Sequence, residues 1–389
     1  MRLLYVSHSF PPPGRPLDNL GGMQRVATEL HRALRAHPDV QLSEALLQTS
    51  WRWTHLRTAP FLLRLLREVP RVVRRDGAEV VLFSSMVTAA VAPALRRRLG
   101  AAGPLLAAIP VGRDVTLPNS VYQRHLRRVL PALDVLLPIS RATAAECLRR
   151  GAPATATHVV PCGADLARFP EVSDRADARR ELLAARGERL PPHALLLLSV
   201  GRHQERKGFH WFVDEVLPRL PPEAIYLLAG EGPLTGRIRE LVAERGLQPR
   251  VRLLGKVSEE RLTQLYRGAD LFVMPNVPVA GDIEGFGVVM LEAGLAGLPV
   301  LAAELEGIRD VIRPGENGWL LPSGDAAAFA EAILRLHRDR AALAAAARAA
   351  RAYTARTFSW AQIVERYRAI FQEALAGRAA AAHSARRMA

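Results

Sequence analysis

The sequence predicts an α/β chain built as two doubly wound, Rossmann-like domains. Two features of the order of residues predict it. Short apolar runs of strand length alternate with helical segments along the whole chain, which implies parallel sheet with helices on both faces. The alternation then restarts after a looser segment, Ala167 to Glu181, with a fully apolar run at Leu195–Val200. The length of 389 residues agrees, since about 100–200 residues make a domain.

Each element follows in order. LLYVS (Leu3–Ser7) is the first strand, and a Pro/Gly loop leads to a helix from about Gly22 to Ala36. QLSEALL is a second strand, and the basic stretch Leu56–Arg75 is helical. VVLFSS, LLAAI and VLLPIS are further strands. In the second half LLLLSV, AIYLLAG, VRLLG, DLFVMP and PVLAA are largely apolar, as suits strands of a sheet buried on both faces. The segment Thr357–Leu375 is an amphipathic helix with Trp360, Ile363, Val364, Tyr367, Ile370 and Phe371 on one face. AGRAAAAHSARRMA after it reads as a frayed tail.

Composition bounds the function. Two cysteines, Cys147 and Cys162, form no disulfide framework, so a reducing, cytoplasmic setting is expected. No cleavable signal pattern opens the chain, and no run of 18 apolar residues suits a membrane span. The net charge is +15, with only Lys207 and Lys256 as lysines among 53 basic residues. Such an imbalance reads as a coding bias toward Arg and Ala. The basic residues are spread out and carry no nucleic-acid signature, so no nucleic-acid partner is expected. Trp51–Arg75 mixes Trp, Leu and Arg, which fits either a packed helix with solvated arginines or a peripheral contact with an anionic membrane.

Three motifs carry chemistry. In SVGRHQERKGFHWF (Ser199–Phe212) a buried strand ends at a glycine, and Arg202 and Lys207 follow before a helix. Ligands of open parallel sheets bind beyond the carboxyl ends of strands, and two cations with a helix N-terminus suit phosphate. A solvated basic loop is the plain alternative. Retention of Lys207 in an Arg-biased chain favours a role that only a compact ammonium fills. In LGGMQRVATEL, Gly21 and Gly22 precede a helix and let backbone approach a ligand, or simply turn the chain. They are not G-x-G-x-x-G, so no dinucleotide cofactor is expected. The third is GDIEGFGVVMLEAGLAG. Glu284 lies in a loop and Glu292 inside the helix that begins near Phe286 or Gly287. The N–H groups of Phe286, Gly287 and Val288 are free to meet an anion or hydroxyls. Glu292 stands among Val289, Met290, Leu291, Ala293 and Leu295, so it needs a partner.

These residues carry a resemblance. Glu284 and Glu292 in E-x7-E spacing, EGFG, GR-x4-KG at Gly201–Gly208, AGEGPL at Ala229–Leu234 and VRLLGKVSEERLTQLYRGADLFVMP resemble the retaining glycosyltransferases of family 4. The resemblance implies the GT-B fold, two Rossmann-like domains facing a cleft. It implies domains at 1–168, on the acceptor side, and 169–357, binding the nucleotide sugar. A helix at 358–376 would cross back to the first domain, and 377–389 would be a flexible tail. It implies that Arg202 and Lys207 hold the donor diphosphate and that Glu292 accepts from ribose hydroxyls. Glu284 would take hydroxyls of the transferred sugar, supported by Phe286, Gly287 and Val288. Lys256 and Val257 would line the base pocket, and Gly21 and Gly22 would close over the phosphates.

Two departures stand out. Val111, in AAIPVGRDVTLPN, occupies the place of a His common in the family, and Arg113, Asp114 or His8 are candidate substitutes. Cys162, in VVPCGAD, replaces an Asn and reads as a small packed residue. The expected activity is transfer of a sugar from a nucleotide diphosphate sugar, with retention, to a glycan, lipid-linked or small-molecule acceptor. Envelope polysaccharide synthesis is one setting. No D-x-D pair is present to bind a metal, so no metal or other cofactor is expected. A sugar-nucleotide-binding protein without turnover, or an epimerase or phosphorylase of the same fold, are the alternatives.

Overall fold

The computed structural model describes residues 1–14, 21–170, 175–184 and 194–388. Residues 15–20 of the expected Pro/Gly loop and 171–174 of the looser segment lie outside the described residues. The chain divides into two compact units, Met1–Gly163 with Trp360–Ala389, and Ala164–Ser359. The change of unit therefore comes before residue 168. Arg168, assigned to the first domain on sequence, belongs to the second.

The first unit holds β1 (Arg2–Phe10), β2 (Gln41–Gln48), β3 (Val80–Phe83), β4 (Leu105–Ala108) and β5 (Val135–Leu136). They form one parallel sheet in the order β2-β1-β3-β4-β5. Leu3, Leu4, Tyr5 and Val6 of β1 are fully buried, as apolar runs covered by helices on both faces must be. Helix α1 (Gly22–Ala36) follows β1, and α2 (Trp51–Asp76) follows β2. The loops after β3 and β4 are tied by one buried carboxylate. Asp114 accepts the N–H of Met86 at 2.8 Å and that of Val111 at 2.9 Å.

The second unit holds β6 (Leu195–Val200), β7 (Ala224–Ala229), β8 (Val251–Gly255), β9 (Leu271–Met274), β10 (Val300–Ala303) and β11 (Gly318–Leu321). The order is β11-β10-β9-β6-β7-β8, all parallel. The chain winds outward from β6 to β8, then returns to β9 on the other side of β6. That reversal opens a crevice at the carboxyl ends of β6 and β9, the switch point at which such sheets bind ligands. Strand β11 was not read from sequence, because GWLL follows the turn residues of RPGEN in a run too short to stand out. Helices α3 (Glu259–Gly268) and α4 (Val288–Leu295) precede β9 and β10 respectively.

The last helix, α5, runs from Trp360 to Met388, well past the expected frayed end. The reason is composition, since Ala and Arg are strong helix formers and AGRAAAAHSARR contains no breaker beyond Gly377. Ile363, Val364, Tyr367 and Phe371 are buried in the first unit, each burial giving about 1.5–3 kcal/mol. Trp360 donates its indole N–H to the buried carboxylate of Glu29 on α1 at 2.8 Å. Cys162 is buried beside this helix, and its thiol is pushed well up by burial and by Glu29, so it packs as a small residue.

Asp114 gives the first test. Removing its carboxylate in Asp114→Ala orphans two buried N–H groups, each costing about 1–3 kcal/mol. Urea unfolding should show a loss of about 2–6 kcal/mol, with Asp114→Asn, which keeps one acceptor, falling between the two proteins.

Candidate active site

The loops after β6, β9 and β10 build one cluster. After β6 the chain makes a 3-10 turn at Glu205–Lys207 and then passes through Gly208. Gly208 has φ +65°, and a Cβ there would lie 1.8 Å from the carbonyl oxygen of Pro275. The two loops therefore touch backbone to backbone, and only glycine permits it. That contact sets Lys207 beneath the loop after β9. Its Nζ donates to Oε2 of Glu284 at 2.5 Å.

Glu284 is buried and held from several directions. Asn276 Nδ2 donates to its Oε2 at 3.1 Å, and Arg206 Nε lies 3.6 Å from the same oxygen. Arg206 is itself fixed by Gln204 at 2.6 Å and Asp282 at 3.4 Å. Burial raises the Glu284 carboxyl, but the charges of Lys207 and Arg206 outweigh it, and the net direction is down. Glu284 is thus a carboxylate at neutral pH. Nearby, Oδ1 of Asn276 and Oδ1 of Asp282 are buried without a hydrogen-bond partner among the described residues.

Glu292 has a separate environment. It is buried in α4, and the partner it requires is Arg168, whose NH1 donates to Oε1 at 2.8 Å. Tyr266 on α3 donates its hydroxyl to Oε2 at 2.9 Å. Arg168 also donates to Glu259 at the start of α3, at 2.5 Å, and stacks over Phe169 at 5.3 Å. The two acids of E-x7-E thus sit in two cation-bearing networks.

The remaining predicted residues are placed as follows. Arg202 is exposed at the end of β6, and no described hydrogen bond or ion pair engages it. Lys256, also exposed, and Val257, half-buried, follow β8. Phe286 is buried, and Gly287 is the N-cap of α4 with φ +86°. The helix begins at Val288, so the N–H groups at its opening are those of Val288 and Val289 rather than Phe286. Gly21 is the N-cap of α1 and Gly22 its first residue. Both are exposed, and the helix start has no side-chain cap and no acid in its first turn. They belong to the other unit.

Of the three candidate substitutes around Val111, Asp114 is otherwise engaged. Both oxygens of Asp114 are taken by backbone N–H groups, and burial pushes its carboxyl up to about 6. His8 is held neutral, its ring lowered to about 4 by burial and by His55. Arg113 is exposed. Sequence reasoning missed Arg168, Tyr266, Asn276, Arg206 and Glu306, whose carboxylate accepts the Glu284 N–H. Arg206, Asn276 and Tyr266 carried a signal, since each lies within a motif or within two residues of a strand end. Among the described residues no group of three or more His, Cys, Asp or Glu is placed to hold a metal ion.

The model of the family "Glycosyl transferases group 1" matches residues 194–339. The chain is 31% identical over 287 residues to the GDP-mannose-dependent alpha-(1-6)-phosphatidylinositol monomannoside mannosyltransferase of Mycobacterium tuberculosis, covering 71% of this chain and 72% of that one. The chain belongs to the group 1 glycosyltransferases. A second group 1 relative is the amylovoran biosynthesis glycosyltransferase AmsK of Erwinia amylovora, 31% identical over 234 residues, 59% of this chain and 54% of that protein. The chain spans about half the length of such curated relatives. Anabaena Alr3699/HepE, solved with UDP, superposes with a TM-score of 0.72 at 20% identity, over 96% of this chain and 100% of that one. The fold is GT-B, as expected of the group 1 enzymes.

The ion pair of this site is testable through stability. Lys207→Met leaves a buried carboxylate without its ammonium and should cost about 3–5 kcal/mol, and Glu284→Gln added to it should restore most of that loss. The pH dependence has a definite sign. A carboxyl lowered on folding contributes stability above its unfolded pKa, and loses it as pH falls through the folded value. Wild type should therefore lose the contribution of Glu284 below its ordinary value of 4.5. The double variant should lack that limb in thermal unfolding across pH 7 to 3.

Proposed function

We propose that the chain is a retaining glycosyltransferase that moves a sugar from a nucleotide diphosphate sugar to a glycan, lipid-linked or small-molecule acceptor, without a metal. The observation that carries this is the buried cluster of Lys207, Arg206, Glu284 and Asn276 at the switch point of β6 and β9. Its cations suit a diphosphate. Its unpartnered buried acceptors on Asn276 and Asp282 suit sugar hydroxyls, which are donors. Relatives support the substrate class: HepE has been solved with UDP-glucose, and the mycobacterial relative is named as GDP-mannose-dependent. AmsK is named for amylovoran biosynthesis, and the mycobacterial acceptor is a phosphatidylinositol monomannoside, which supports a glycan or lipid-linked acceptor here.

The mechanism follows from charge. As the anomeric bond breaks, the sugar gains oxocarbenium character and the leaving diphosphate gains negative charge. Lys207 and the exposed Arg202 stabilise that charge more than the ground state. Glu292 orients the ribose and Glu284 the transferred sugar. Lys256 and Val257 line the base, and the opening of α4 supports sugar and phosphate. Glu284 is committed to Lys207 and Asn276, which makes it a poor nucleophile. That favours front-face attack, with the diphosphate taking the acceptor proton and the sugar retaining its configuration.

A donor panel of UDP-, GDP-, dTDP- and ADP-sugars tests this by thermal shift and by nucleotide release. One donor should stabilise the protein and be hydrolysed slowly, and Glu292→Ala should lose both. A charged contact is worth roughly 1.5–3 kcal/mol, so Lys207→Ala should lower kcat/KM by about one to two decades. Unchanged kinetics would remove the assignment.

A specific observation also favours peripheral contact with an anionic membrane at the inner face of a cytoplasmic membrane. No described helix is long and apolar enough to cross a membrane. On α2, however, Trp53, Leu56, Pro60 and Leu63 share one face at helical spacing, with Trp53 53% and both leucines 68% exposed. Arg57, Arg64, Arg67, Arg71, Arg74 and Arg75 flank or extend that face, all exposed. Each adds about 1 kcal/mol near an anionic surface. Vesicles of phosphatidylcholine with phosphatidylglycerol should sediment the protein at moderate salt. Leu56→Glu with Leu63→Glu should abolish that binding, and no sedimentation of wild type would end the idea.

A further inference from the structure

The loop after β10 reads ELEGIRDV, and its third residue has a backbone that L residues avoid. Glu306 has φ +44°, the one non-glycine residue with positive φ among the described residues. Such a conformation persists where the surroundings over-determine it, and it gathers at functional sites. Glycine, which adopts it freely, stands in the next position.

The side chain shows what the conformation achieves. The Glu306 carboxylate accepts the backbone N–H of Glu284, and the N–H of Gly307 donates to the Glu284 carbonyl at 3.1 Å. Both backbone polar groups of Glu284 are therefore held by two consecutive residues of one turn. The approach is close: a Cβ on residue 307 would lie 2.1 Å from the carbonyl oxygen of Gly285. Glu306 is half-buried, and burial raises its carboxyl. Arg206 faces it as a cation, and Asp282 and Glu284 as acids.

We propose that Glu306 is a positioning residue for the transferred sugar: its strained backbone and carboxylate fix the peptide of Glu284, and so the point at which the Glu284 side chain meets the sugar. The inference rests on the reading of Glu284 as the sugar-binding carboxylate. Glu306 acts through the Glu284 N–H. Its loss is felt more by the donor sugar than by the nucleoside diphosphate, because Arg202 and Glu292 lie outside the turn and Lys207 is placed by its own 3-10 turn after β6.

The test compares wild type, Glu306→Gln and Glu306→Gly. Gln keeps an acceptor for the N–H. Gly removes the carboxylate while suiting the left-handed backbone, so a simple strain effect cannot explain a loss. The readouts are donor hydrolysis with whichever nucleotide sugar the wild type turns over, and the Kd of the matching nucleoside diphosphate. Glu306→Gly should lower kcat/KM about 10- to 100-fold, with the nucleoside diphosphate Kd within about threefold of wild type. Glu306→Gln should recover most of the loss. Full activity in Glu306→Gly overturns the inference and leaves the site reading standing. So does loss of nucleoside diphosphate binding in step with activity, which marks a merely structural role. A wild type that neither binds nor hydrolyses any donor overturns the site reading and the inference together.

Discussion

The buried ion pair between Lys207 and Glu284 is the constraint on which the rest of the second unit's site depends. Taking an ammonium and a carboxylate out of water costs several kcal/mol per ion, and mutual attraction repays that only with good geometry and additional hydrogen bonds. The chain supplies both. Asn276 and Arg206 attend the same carboxylate oxygen. Gly208 allows the loop after β6 to lie against Pro275, and the turn after β10 holds the Glu284 peptide. Apolar residues would give the same volume more cheaply. Three loops converging on one charged pair are better explained by a ligand that needs the pair than by stability.

Much of the fold was legible because its signals are local. Ten of the eleven strands, most of them apolar runs bounded by turn residues, were visible in the order of residues. The C-terminal helix announced its buried face from Trp360 to Phe371 by spacing alone. What escaped was non-local. GWLL became β11 only through pairing with β10. The change of unit before Ala164 has no mark of composition, so Arg168 was placed on the wrong side.

The site was legible to the same degree and for the same reason. Lys207 and Glu284 could be singled out by residue type within motifs, but not their contact, which spans 77 residues. Arg168 reaches Glu292 across 124 residues, and Tyr266 lies in an ordinary amphipathic helix. Glu306 sits in a loop of unremarkable composition, and only its backbone angle distinguishes it. Partners of a charged residue are set by topology, which spacing along a chain does not display.

The two acids of E-x7-E differ in how they are held, and the difference suits two tasks. Both oxygens of Glu292 are already engaged by Arg168 and Tyr266. That engagement fixes the carboxylate before any ligand arrives, which suits a group proposed to meet ribose hydroxyls. Glu284 instead shares its cation with the proposed diphosphate. An ammonium carries three N–H donors, of which Glu284 takes one. The other two can turn to phosphate oxygens without releasing the acid proposed to orient the sugar. A guanidinium offers a planar fork and a larger head in the same buried place, and its donors cannot rotate independently. That geometry accounts for a lysine at 207 in a chain that otherwise uses arginine almost everywhere.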